Sequence, residues 1–185
     1  FFLVVTLLLS ALQQAYIVNQ ELAQTDYVTG AISVRHFYEL TRIESGRFRR
    51  YQHPFSLVYI DLDNFKAIND RLGHITGDKL LRVLVENIQQ QIRPTDVLAR
   101  LGGDEFALLL PETGVEQIKI FIGRLHANLA NEMLTKGWMV TLSTGVVTFK
   151  QLPKSVDEMV RLADAAMYSV KTNGKNGVCY RVYTG

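Results

Sequence analysis

A single cysteine, Cys179, stands in 185 residues, which excludes an intrachain disulfide and with it the stapled scaffolds of small secreted domains. No CxxC pair and no paired Cys/His spacing occurs, so zinc has no ligand set. Charge of one sign is lacking as well: 20 basic against 18 acidic side chains leave a formal net charge of +2. That gives no bulk field for nucleic acid or an anionic membrane surface, and function has to be sought in local sites. With four prolines, no internal repeat and no low-complexity segment, the chain reads as one domain with an appendage, long enough to bury a sizeable core. An apolar run of about 20 residues, the length that spans a bilayer, is missing too. Residues 1–12 are nearly all apolar and uncharged, but too short to span alone. We read them as the cytoplasmic end of a transmembrane helix that begins upstream, making the rest the cytoplasmic part of an inner-membrane protein. A helix packed on the domain or on a partner is the competing reading, and the absence of a basic leader and a small-x-small cleavage site disfavours a signal peptide.

What is present begins with a heptad pattern. Val5, Leu8, Leu12, Ala15, Asn19 and Leu22 alternate spacings of three and four, the seam of a short coiled coil with one polar position. Residues 1–25 thus form a helical connector, and Asp26-Tyr27-Val28-Thr29-Gly30 breaks it at the start of the folded domain, 26–185. An amphipathic helix follows over 34–52, with Phe37, Leu40 and Phe48 inward and a basic, solvated outer face; Pro54 ends it. The β-type run 55–60 reads as a central strand that delivers Asp61-Leu62-Asp63 at its end. Further helices are expected over 77–92, 115–134 and 155–172, and further strands over 138–149 and 178–183. Arg100-Leu101-Gly102-Gly103-Asp104-Glu105-Phe106 lies between two apolar runs and reads as a hairpin, since glycines tolerate the positive φ angles of such turns. The order strand, helix, strand, strand, helix, strand is that of the ferredoxin-like βαββαβ core, an α+β fold. In that arrangement the end of the first strand lies beside the hairpin tip.

The chemistry is sought there. A solvated tip is the plain reading of Asp104 and Glu105, but Asp61 and Asp63 on the adjacent strand end would bring up to four carboxylates together. Such a cluster is self-repelling, and oxygen ligands without His or Cys suit Mg²⁺ or Mn²⁺. Metal ions held this way serve phosphoryl transfer on nucleoside triphosphates. Lys66, Lys171 and the Asn173-Gly174-Lys175-Asn176-Gly177 loop supply cations for phosphates. Asn69 both donates and accepts, and Asp78 accepts from two donors, a pair that suits guanine better than adenine; Asp78 equally suits a cap on a helix starting near Gly77.

Read together, these segments resemble the GGDEF domain, the diguanylate cyclase family. The resemblance runs from about Asp26 to Val182. It rests on Asp26-x-x-Thr29-Gly30, on Asp61-Leu62-Asp63-x-Phe65-Lys66-x-Ile68-Asn69-Asp70-x-x-Gly73-His74-x-x-Gly77-Asp78, and on Gly102-Gly103-Asp104-Glu105-Phe106. Leu142-Ser143-x-Gly145 and Ala163-Asp164-x-Ala166-Met167-Tyr168-x-x-Lys171 complete it. The resemblance implies a palm-like fold and the condensation of two GTP into cyclic di-GMP with release of pyrophosphate, by a homodimer whose two sites face each other. It implies that Asp61, Glu105 and the Leu62 carbonyl ligate the metal, and that Asp104 assists the ribose 3′-hydroxyl or contacts the metal. Asn69 and Asp78 would read guanine, and Lys66, Lys171 and Lys175 would hold phosphates. Arg93 and Asp96 stand at the family's product-inhibition site, where an Arg stacks on guanine and a carboxylate accepts from its edge. His74 is expected to be structural, and Asp63 to act only through local electrostatics and turn geometry.

The sequence departs from the family after Thr29-Gly30, where Ala31-Ile32-Ser33-Val34-Arg35 replaces Leu-x-Asn-Arg-Arg. A looser turn before the first helix is the expected consequence. A non-catalytic receptor for cyclic di-GMP or GTP is the alternative function, disfavoured by the intact acids.

Overall fold

The computed structural model describes residues 5–10, 12–14 and 24–185. Residues 5–10 and 12–14 are helical, with Val5, Leu8 and Leu12 all exposed; Ala15, Asn19 and Leu22, the rest of the expected heptad seam, lie outside the described residues. Among the described residues no helix is long and apolar enough to cross a membrane.

The domain is a six-stranded sheet between two helical layers. Its strands are β1 (Ile32–Ser33), β2 (Phe55–Asp63), β3 (Val97–Gly102), β4 (Glu105–Leu110), β5 (Thr141–Phe149) and β6 (Gly177–Tyr183). They stand in the order β1-β3-β4-β2-β5-β6. The inner four, β3-β4-β2-β5, pair antiparallel in the expected ferredoxin-like arrangement, while β1 and β6 are added at the edges in parallel.

The central place of β2 follows from its composition. All nine of its residues are buried, as a strand covered on both faces requires. Its even-numbered residues Val58, Ile60 and Leu62 join one core cluster and its odd-numbered Phe55, Leu57 and Tyr59 the other, because successive side chains of a strand alternate faces. The first face is covered by α2 (Phe65–Leu72), α3 (His74–Gln89) and α4 (Val115–Thr135); the second by α1 (Val34–Tyr51) and α5 (Val156–Thr172).

The helix ends are chemically specified. Ser33 caps α1 by accepting from the His36 N–H, and Ser155 caps α5 by accepting from the Glu158 N–H, each satisfying an N–H that the helix cannot. α1 stops at Gln52, in the left-handed region at φ 58°, before Pro54 can enter it. The turn ahead of α1 is held by hydrogen bonds. Asp26 Oδ1 accepts from the Thr29 N–H and hydroxyl, and Gly30, at φ 73°, donates to the Asp26 carbonyl. Ala31 fills the core and Ile32–Ser33 pairs with Ala99 and Arg100.

Two expectations need correction. The helix expected over 77–92 begins at His74 and ends at Gln89, and it is preceded by the separate helix α2, which the sequence reading did not identify. Gly73, at φ 82° and ψ 160°, breaks the chain between them, a conformation that glycine adopts without steric cost. Asp78 is therefore the fifth residue of α3 and not its cap.

Candidate active site

Asp61 is the last residue of β2 that pairs with β4: it stands opposite Glu105 on one side and Ser143 on the other. Opposed residues of paired strands project to the same face about 5 Å apart, so the fold sets two carboxylates side by side. Asp104 follows a different rule. β3 ends at Gly102 and β4 starts at Glu105, with Gly103 at φ 39° in the turn and a register shift between Arg100 and Gly102. Asp104 thus sits in the tip itself, free of the strand's alternation, and its carbonyl accepts from the Leu62 N–H at 3.2 Å. The N–H and C=O of one strand residue point to the same side, so the Leu62 carbonyl also faces the hairpin.

The tip is braced by Arg100. Its Nε and Nη2 donate to the Gly103 carbonyl at 3.0 and 2.7 Å, and its Nη1 donates to Asp26 Oδ1 at 3.0 Å. The planar guanidinium makes both contacts at once. Burial would raise the Asp26 pKa, but the Thr29 and Arg100 hydrogen bonds outweigh it and hold this carboxylate below its usual range.

The acids meet a lysine from the second helical layer. Lys171 Nζ, near the end of α5, donates to Asp61 Oδ2 at 2.6 Å. Even so, burial, with the charges of Asp104 and Glu105 adding, pushes Asp61 up to about 6. Burial lowers the Lys171 pKa, and the hydrogen bond to Asp61 with the surrounding carboxylates more than restores it. Among the described residues Asp61 Oδ1, which is buried, has no hydrogen-bond partner.

A carboxylate oxygen left bare inside a protein is costly, and a hard cation satisfies it. Asp61, Glu105 and the Leu62 carbonyl are all oxygen donors, so the residues present fit Mg²⁺ or Mn²⁺. Among the described residues no three His, Cys, Asp or Glu side chains converge on one point.

The expected four-carboxylate cluster is therefore a smaller one. Asp63 is turned to other work: Oδ1 accepts from the Ser143 hydroxyl at 2.8 Å, and Oδ2 from the Thr141 hydroxyl at 2.7 Å and the Asn176 N–H at 3.0 Å. Neutral donors saturate it, and it needs no cation.

A cleft of about 520 Å³ opens over these groups, lined by Leu62, Asp104, Lys66, Lys171 and Lys175 among others. Three cations thus share one cavity with Asp63, Asp70 and Asp104, and Lys171 links it to Asp61. Asn69 and Asp78 do not line it. Asn69 lies on α2 with its Oδ1 buried and unpartnered, and a Cβ on Gly77 would come within 1.9 Å of that oxygen. Gly77 therefore lets the Asn69 amide lie against α3, one residue from the half-buried Asp78. Arg93 and Asp96 line a separate cavity of about 250 Å³, together with Gln91, Phe121 and Arg124. There Asp96 Oδ2 accepts from the Arg93 N–H at 2.8 Å, its Oδ1 is buried with no geometric hydrogen bond among the described residues, and burial raises its pKa.

Sequence reasoning missed the Arg100 brace and the Asp63 network. The first joins residues 74 positions apart, the second residues 78 to 113 apart, and no local pattern encodes either. The only available signal was an ordinary one, charged residues inside strand-like runs that need buried partners.

Residues 23–177 match the family model described as diguanylate cyclase, GGDEF domain. The chain is 32% identical over 169 residues to the probable diguanylate cyclase DgcT of Escherichia coli K12, covering 89% of this chain and 37% of that protein. It is also similar to the crystal structure of diguanylate cyclase SiaD from Pseudomonas aeruginosa in complex with its activator SiaC, with a TM-score of 0.79 and 27% identity over 96% of this chain and 69% of that one. The GGDEF domain of DgcB from Caulobacter crescentus in complex with c-di-GMP gives a TM-score of 0.75 and 25% identity, over 85% of this chain and 95% of that one. The chain spans less than half the length of the curated relatives it matches. In its sheet order, its hairpin tip and the 155 residues of its family match, the chain belongs to the GGDEF family of diguanylate cyclase domains.

Proposed function

We propose that this domain condenses two molecules of GTP into cyclic di-GMP with release of pyrophosphate, in a divalent-metal-dependent reaction. The observation that carries the reading is the buried Asp61, opposed to Glu105 and with Oδ1 unpartnered among the described residues, which Lys171 joins to a cleft lined by Asp104, Lys66, Lys171 and Lys175. The intact family signature supports it.

In each half-reaction the 3′-oxygen of one GTP bonds to the α-phosphorus of the other, and the bond to the pyrophosphate oxygen breaks. Asp61, Glu105 and the Leu62 carbonyl would hold Mg²⁺, or Mn²⁺ in its place, which when bound neutralises phosphate charge and favours ionisation of the attacking hydroxyl. Lys66, Lys171 and Lys175 bind the triphosphate as point charges. Asp104, outside the strand pairing and lining the same cleft, would accept the hydroxyl proton or contact the metal. Asn69 and Asp78, neighbours on α2 and α3 outside the lining of that cleft, would read the guanine edge, Asn69 through its amide N–H groups since its Oδ1 is buried. One GTP per domain and a two-fold symmetric product require two domains to face each other, so the working unit is a homodimer. Arg93 and Asp96 form an inhibitory site for the product, and the DgcB domain bound to c-di-GMP supports that ligand. A membrane anchor upstream would place the domain in the cytoplasm.

Conversion of labelled GTP by the purified protein tests the reading: cyclic di-GMP and pyrophosphate are expected in a 1:2 ratio. Tight GTP binding without conversion would establish the receptor alternative instead.

The metal site also has a pH signature. Without metal, Asp61 has a folded pKa of about 6 against an ordinary value of 3.8. A raised carboxyl pKa favours the protonated native state: that contribution is complete below about 4 and is lost as pH rises through 6, at about 1.4 kcal/mol per unit between the two values. Above pH 6 the carboxylate, with Oδ2 on Lys171 and Oδ1 unpartnered among the described residues, is a cost that a cation removes. The rise in thermal midpoint on adding Mg²⁺ is therefore expected to be largest near pH 7.5 and to shrink toward pH 4.5. An equal shift at both pH values would be inconsistent with Asp61 as a ligand.

A further inference from the structure

Asp63 is 1% exposed and fully hydrogen-bonded, yet none of the steps above uses it. It lies two residues beyond Asp61, on the same face of β2, and its three partners come from β5 and the loop before β6. That loop is conformationally expensive. Gly174, Lys175 and Asn176 take φ values of 108°, 63° and 48° in succession, and non-glycine residues hold such angles only where the surroundings over-determine them. The determinants are visible. The Asn176 N–H donates to Asp63 Oδ2 at 3.0 Å, the Lys175 ammonium donates to Asn64 Oδ1 at 3.0 Å, and the Lys175 N–H donates to the Val170 carbonyl at 3.0 Å. Two adjacent residues at the end of β2 thus hold two adjacent residues of the loop. Thr141 and Ser143, at the start of β5, fix the rotamer of Asp63 from the other side.

We propose that Asp63 is a positioning residue that latches the 173–177 loop to the end of β2, so that Lys175 is presented to the cleft at a fixed distance from Asp61. The inference rests on reading the cleft as a nucleotide site. It assigns the two aspartates of Asp61-Leu62-Asp63 opposite tasks. Asp61 keeps a bare oxygen for a cation, whereas both oxygens of Asp63 are occupied by uncharged donors. Asp63 acts on the triphosphate only through Lys175, and the register of β2 with β5 transmits its position.

The test has two arms, both without turnover. In the first, hydrogen exchange of the Asn176 amide is compared between wild type and Asp63→Ala without nucleotide. Exchange is expected to accelerate by about tenfold or more, the loss of one charge-assisted hydrogen bond; unchanged exchange would overturn the latch. The second arm measures binding of a non-hydrolysable GTP analogue with Mg²⁺ to Asp63→Ala, Lys175→Ala and the double variant. Each single change is expected to weaken binding by about tenfold, and the double to be no weaker than Lys175→Ala alone, since coupled residues are non-additive. Additive losses would mean that Asp63 acts independently of Lys175 and would overturn the positioning role. If Asp63→Ala fails to fold, Asp63→Leu, which keeps the shape and accepts no hydrogen bond, carries both arms with the same criteria. A wild-type protein that does not bind the analogue removes the nucleotide reading and the positioning role with it, while the exchange arm still decides whether the latch exists.

Discussion

Replacing Glu105 by glutamine is expected to lower GTP turnover by about 10²–10³-fold, the scale of losing one preorganised electrostatic contact in a catalytic site, with the fold retained. The substitution keeps size, shape and one oxygen and removes only the charge. On the apo protein this is a relief. Asp61 and Glu105 are opposed across β2 and β4, like charges in that position repel, and the charges of Glu105 and Asp104 add to the burial that raises the Asp61 pKa. The thermal midpoint is therefore expected to stay level or rise. In the loaded site the same loss removes one of the two carboxylates available to a divalent ion. Activity and stability move in opposite directions, which separates a metal ligand from a structural residue. Steady-state turnover with Mg²⁺, paired with thermal unfolding of the same samples, checks it. A tenfold or smaller loss, or a fall in midpoint, would remove Glu105 from the site.

The largest expected effect on stability comes from Gly145→Ala. A Cβ at Gly145 would stand 2.2 Å from the Ala163 carbonyl oxygen, 2.2 Å from the Met167 backbone nitrogen and 2.9 Å from the Ala166 carbonyl carbon. All three are backbone atoms of α5, so no side chain can rotate away. The buried Ala163 and Ala166 are small because the helix rides directly on β5 at this point. Accommodating one methyl means lifting the helix from the sheet, an overpacking cost of about 3 kcal/mol or more. The lift also carries Lys171 away from Asp61, because that lysine lies on the same helix two turns on. Chemical denaturation is expected to show the loss. A change below about 1 kcal/mol would mean that α5 has slack the geometry does not reveal.

How far the sequence exposed all this depended on the range of the interactions. The ferredoxin-like core, the hairpin and the amphipathic helices α1, α4 and α5 were legible because each is written in local periodicity and turn chemistry. The α2–α3 pair was only half legible: 65–72 is short and partly polar, and a positive φ at Gly73 cannot be told from an ordinary helical glycine by composition. Asp61 and Glu105 were legible as candidates, since strand order alone puts the end of β2 beside the hairpin tip. The role of Asp63 was not. From sequence it is a fourth carboxylate of an acidic cluster; its saturation by Thr141, Ser143 and Asn176 depends on β5 and β6 arriving from 78 to 113 residues away. Asp104 was ambiguous for a related reason, because strict alternation would have sent it to the opposite face from Glu105. The bulge before Gly102 and the turn at Gly103 remove it from that rule.

The two edges of the sheet have a bearing on solubility. An edge strand presents a row of free amides and carbonyls to any other chain, and proteins blunt such rows by shortness or by charge. β1 is only two residues long, too short to template a partner. β6 is seven residues long, with Tyr180 and Val182 exposed, and it is the strand more open to intermolecular pairing. Arg181 stands between those two apolar side chains and is itself exposed. Its charge on the other face of the strand disfavours pairing of this margin with another chain.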